Sequence, residues 1–205
     1  MSPKTPLLRP AAYFERTRSP LATGTAVFLA HVIVDSVLLY LVVYLILDRI
    51  EELPAGVQGE VLGMMMGILV FAAVIYVIAW FLVAAVMHFL SGGNDTAGSF
   101  SDALGVAGWA YTPELISAPI LFGFIWTQIE QLDLSGDDPA AIAAEIEALE
   151  AGGLHPVAII VALGVVAWSV YLLSKGVAAT HDVSVEKTLP PALLVGAASL
   201  LLTLI

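Results

Sequence analysis

Cysteine is absent from the 205 residues, which excludes disulfides, thiolate metal sites and a cysteine nucleophile. Basic residues are scarce: seven Lys and Arg stand against 18 Asp and Glu, for a net charge of −11. No nucleic acid is expected as partner, because phosphate binding needs clustered Lys and Arg. Charged residues of both signs make up only 12% of the chain, about half of the roughly 25% usual in soluble domains. Catalytic signatures are missing too. The chain contains no HExxH, no GxSxG and no G-x-x-x-x-G-K-S/T phosphate loop. The glycine-rich stretch from Gly92 to Gly98 lacks the lysine and joins two apolar runs, not a strand and a helix. The chain therefore reads as non-enzymatic, with no cofactor and no metal. A repeat of one half by the other, the mark of many secondary transporters, is not visible.

What is present is apolar sequence. Hydrophobic residues are 60% of the chain and the mean hydropathy is +0.96. Several runs approach or exceed the roughly 20 residues needed to cross a bilayer. The fold class is all-α: a polytopic membrane bundle with lipid as its solvent and partner, multi-pass in the cell membrane. Residues 1–23 form a basic leader in which Pro10-Ala-Ala-Tyr13-Phe14 can lie as a short interfacial helix or stay frayed. Residues 24–205 form one membrane domain. Its spans are about 24–47, 61–90, 103–126, 154–174 and 189–205. The last sits at the lower length limit, so four spans with a final interfacial helix is the alternative. The first apolar run is too long for a signal-peptide core and follows the polar leader, so it stays as an anchor. In the loop 127–153, Asp138-Pro139 reads as a helix start and Gly152-Gly153 as a stop. Ile142, Ile146 and Leu149 give the helix between them an apolar face.

Orientation follows from the bases. With the N-terminus inside, Lys4, Arg9, Arg16, Arg18, Lys175 and Lys187 are inside and only Arg49 is outside. Five spans then put the C-terminus outside. The 127–153 loop, with seven acids and no base, then lies outside too. The acidic balance suits a salt-rich, haloarchaeal setting, although solvated loops account for it equally simply.

Three polar residues fall at mid-membrane depth. Asp35 is near the middle of the first span, with His31 one turn away on the same face, and Glu114 is near the middle of the third. A charge there is costed at about 2.5–3.5 kcal/mol even on lenient scales. Pro113 and Pro119 interrupt the third span, and broken helices are where transporters place ion sites. His31, Asp35 and Glu114 are thus a candidate proton or cation site. The structural reading pairs Asp35 with His31 and gives Glu114 to donors such as Trp109 or Tyr111. At the inner surface His88, Lys175, His181 and Asp182 form a second candidate group, without diagnostic metal spacing. Gly59, Gly63 and Gly67 make two GxxxG spacings, suited first to packing within the monomer and otherwise to self-association.

His88-Phe-Leu-Ser-Gly92-Gly93, Gly98-Ser-Phe100, Gly105-Val-Ala-Gly108-Trp-Ala-Tyr-Thr-Pro113 and Lys175 through Lys187 together resemble the Yip1-domain family of integral membrane proteins, as does the proline-aromatic leader. The likeness covers nearly the whole chain, and Gly92-Gly93 is its family-motif turn. It implies a five-span bundle with a cytoplasmic N-terminus, acting on other membrane proteins or lipids and not as an enzyme. Eukaryotic relatives bind small GTPases. This chain lacks their long cytosolic leader and its acidic-aromatic-glycine-proline segment, so GTPase binding does not transfer.

Overall fold

The computed structural model describes residues 3–17, 19–50, 56–132, 134, 140, 142–145, 147 and 156–203. In chain order its helices are α1 (Pro10–Phe14), α2 (Leu21–Asp48), α3 (Val57–Leu90), α4 (Phe100–Trp109), α5 (Thr112–Ile129), α6 (Pro156–His181) and α7 (Val185–Thr203). A single 3-10 turn occupies Gly93–Asp95. No strand occurs among the described residues, so the all-α class stands.

Four helices are long and apolar enough to cross a membrane: α2, α3, α6 and α7. Only 11% to 22% of each apolar window is buried inside the bundle, so most of these side chains face outward. Ile33, Phe71, Ile160 and Leu202 are among them. In lipid such surface carries no hydrophobic penalty, and helix association rests on close packing and interhelical hydrogen bonds. The packing centre is α4, whose residues from Ala103 to Gly108 are all buried. There Gly24 of α2 meets Gly105 and Gly108 backbone to backbone, with no space for a side chain at any of the three.

Several boundaries differ from those expected. The third run is two helices, α4 and α5, separated at Ala110 and Tyr111. Pro113 explains the stop, because its ring would collide with the carbonyl four residues back, that of Trp109. The freed carbonyls find side-chain donors: Thr112 Oγ1 donates to Trp109 O at 2.7 Å, and Ser169 Oγ of α6 donates to Ala110 O at 2.8 Å. Pro119 is no break, since α5 runs through it. Nor is 175–188 a polar loop. Helix α6 continues to His181, Asp182 caps it at φ 52°, and α7 starts at Val185, before the prolines. A polar side chain with local hydrogen-bonding capacity tolerates that left-handed φ, and Val183 N closes the cap on Ala178 O at 3.1 Å. In the 127–153 segment residues 142–145 are helical. Asp138-Pro139, Ile146, Leu149, Gly152-Gly153, Arg18 and His155 lie outside the described residues.

Contacts sort the helix ends into two groups. Leader, α2 start, α3 end, α4 start, α6 end and α7 start share one end. There Ala97 N donates to His181 O at 3.2 Å, and the Gly98 Cα lies against the His181 ring. The α2 and α5 C-termini meet at the other end, where the Arg49 guanidinium donates to Glu130 O at 3.3 Å. The leader is neither frayed nor merely interfacial. Phe14 is buried against Gly176, while Trp168 Nε1 donates to Leu7 O at 3.0 Å and the Tyr171 hydroxyl to Leu8 O at 3.1 Å.

Candidate functional site

Asp35 falls at the midpoint of the 28-residue α2, and Tyr76 just past the middle of the 34-residue α3. The break between α4 and α5 brings Tyr111 and Glu114 to the same level, against α2. Glu114 enters at this point because the break starts a new helix there. A carboxylate in the first turn of a helix meets unpaired N–H groups and the positive end of the helix dipole.

The structure brings His31, Asp35 and Glu114 together. Their pairing is not the expected one. Asp35 accepts a hydrogen bond of 2.5 Å from the Tyr76 hydroxyl, not one from His31. The His31 Nε2 faces Glu114 Oε2 at 3.4 Å. That is ion-pair distance, yet the alignment is not that of a hydrogen bond, and Nε2 has no hydrogen-bond partner among the described residues. Trp109 does not serve Glu114; its indole donates to Thr23 Oγ1 at 3.1 Å.

An aromatic wall fixes the imidazole. Tyr111 stacks on it with centroids 4.9 Å apart, and Tyr76 meets it edge-on at 5.3 Å. One turn below, Phe28 stacks on Trp80 at 4.4 Å, and the Trp80 indole donates to Leu104 O at 2.9 Å. The His31 side chain is 4% exposed and that of Glu114 35%, so the acid is the open edge of the cluster and the imidazole its closed floor. Sequence reasoning missed Tyr76, and named Tyr111 only as a donor for Glu114, not as the ring stacked on His31. A lone hydroxyl near the centre of an otherwise apolar helix was the available signal for Tyr76.

At the shared end, His88 Nδ1 and His181 Nε2 are 2.9 Å apart, and both residues are buried. Thr180 Oγ1 donates to Val177 O, so it accepts from His181 Nδ1 at 3.0 Å. The His181 Nε2 is then the acceptor, and His88 Nδ1–H the donor. Two members of the expected inner group are thus a structural clasp. Asp182 turns away as the exposed cap of α6, and Lys175 makes no ion pair among the described residues. No group of three His, Asp or Glu side chains able to hold a metal occurs among those residues. The Gly92-Gly93 turn has the backbone that requires glycine, with φ 119° and 55°. Gly59, Gly63 and Gly67 have open space at their Cα atoms; among the described residues, packing within the monomer, the first use expected of them, does not occur.

A family model described as the Yip1 domain matches residues 4–205. Comparison with curated proteins gives no match, and comparison with solved structures gives none.

Proposed function

The chain belongs to the Yip1-domain family, and on that premise we propose a multi-pass membrane protein that crosses the bilayer five times and organises partner proteins or lipids without catalysing a reaction. The crossings are α2, α3, the broken α4–α5 pair, α6 and α7. The N-terminus is inside, where six of the seven bases lie, and the C-terminus outside. The working surface is the inner end, built from the leader, the 91–99 turn and the 182–184 turn. One observation carries this: the leader is folded onto the bundle through Phe14 and two backbone hydrogen bonds. Three separate chain segments thereby make one fixed face, the kind of pre-organised surface that lowers the entropy cost of docking.

Photo-crosslinking amino acids at Glu15, Asn94 and Glu186, all exposed on that face, test the proposal in native membranes. Discrete adducts are expected there and not at Gln131, exposed at the opposite end. Adducts at Gln131 alone, or none at the three inner positions, contradict it. The open Gly59, Gly63 and Gly67 stripe is the surface on which self-association would occur, read by a crosslinked pair at Met64, exposed beside it.

A second reading is a small proton- or ion-coupled carrier. The meeting of His31, Asp35 and Glu114 at the middle of the helices favours it. Flux into high-salt proteoliposomes, compared with Asp35→Asn and Glu114→Gln, reads it directly.

A further inference from the structure

The cluster around His31 has a feature that packing alone does not require. An imidazole nitrogen with no hydrogen-bond partner is buried beneath the aromatic wall, 3.4 Å from a carboxylate oxygen. A buried, unpaired polar atom is expensive, by roughly 1–3 kcal/mol even for a neutral group. With the imidazole proton on Nδ1 and Glu114 ionised, a nitrogen lone pair and an anionic oxygen oppose each other across 3.4 Å. One proton reverses the sign. Shared between them, it gives either imidazolium facing carboxylate or imidazole facing carboxylic acid, and both forms attract.

We propose that His31 and Glu114 form a single proton-binding site at the centre of the membrane domain, titrating as one unit. This deepens the carrier reading by naming the proton as the bound species, and rests on that reading only for transport. Its titratable neighbours among the described residues are Asp35, Tyr76 and Tyr111. On α2 there is Asp35, held by Tyr76 of α3. Between α4 and α5 there is Tyr111, stacked on the ring. No Lys or Arg forms an ion pair with the cluster among the described residues. A metal ion is the poorer fit, because oxygen-seeking cations take six or more ligands and His31, Asp35 and Glu114, although neighbours, are not placed to hold one together. The Asp35–Tyr76 bond is the fixed wall of the site, and its hydroxyl already has an acceptor.

The test uses the full chain in liposomes with ¹⁵N-histidine and ¹³C-glutamate, followed by solid-state NMR across a pH series. The His31 ring nitrogens and the Glu114 carboxyl carbon are expected to change in one common step, as coupled groups do. In Glu114→Gln, shown monodisperse and equally reconstituted, the His31 step should move by at least one pH unit, about a tenfold change in proton affinity. Separate steps in the native protein, a His31 ring unchanged throughout, or the same His31 step in Glu114→Gln overturns the proposal. The native titration decides even if the variant does not fold. Proton flux measured on the same liposomes is a separate readout. A common step without flux keeps the site and removes the carrier reading; flux with separate steps keeps the carrier and removes the shared proton.

Discussion

A methyl group added to Gly108 would run into the backbone of Gly24, and one added to Gly24 into that of Gly105. Backbone cannot move aside as a side-chain tip can, so Gly24→Ala and Gly108→Ala should each destabilise the bundle by about 1–3 kcal/mol, the usual range for overpacking. Gly123 faces open space, and Gly123→Ala should be neutral or stabilising by about 0.5–1 kcal/mol through the helix interior. Thermal midpoints in detergent distinguish the three; equal midpoints would mean that α2 and α4 do not touch. A second residue-level expectation concerns Tyr76. Removing its hydroxyl in Tyr76→Phe leaves Asp35 without its donor, at a cost of about 1–3 kcal/mol. Combined with Asp35→Leu the loss should be smaller than the sum of the two single losses. Strict additivity in that cycle would show that the hydrogen bond is not made.

Elements are held by few contacts, which makes each testable. The clasp between the ends of α3 and α6 is one: His88→Leu leaves the buried His181 Nε2 without its donor. Since His181 also carries Ala97 through its carbonyl, amide exchange at residues 92–98 should quicken in His88→Leu while α2 stays protected. Unchanged exchange there contradicts the clasp. The leader is another. Phe14→Ala removes its buried anchor, at about 3–5 kcal/mol for a fully packed Phe, and trypsin should cut after the exposed Arg16 at least tenfold faster. At this scale the sequence was partly legible. Pro113 marked the break in the third run because its steric effect is local, acting on Trp109 four residues back. Pro119 misled, since α5 absorbs the missing N–H and continues. The polar residues between Lys175 and Thr188 read as a loop because their burial depends on other helices: His181 is covered by His88 and Gly98, and Thr188 Oγ1 donates to Ser174 O at 2.8 Å. No local pattern carries that information.

For the whole molecule, hydropathy and the placement of bases carry the most information. Lipid-facing helices are written as long apolar runs, and that part of the sequence needs no tertiary knowledge to read. Site geometry was legible only as depth. His31, Asp35 and Glu114 could be put at one level, but helix rotation decides who faces whom, and α3 supplied a partner, Tyr76, from an apolar run with little to mark it. The proposed five crossings are the four helices long and apolar enough to span and a third one broken at Ala110 and Tyr111. Because the natural chain has no cysteine, single introduced cysteines report sidedness without background. Cysteines at positions 15, 94 and 184, all exposed at the shared end, should react with a membrane-impermeant maleimide only after the membrane is opened. Those at 49 and 131, and one appended after Ile205, should react in intact cells. Labelling at 94 or 184 from the side opposite to 15, or of the appended cysteine from the same side as 15, would contradict the five-crossing arrangement.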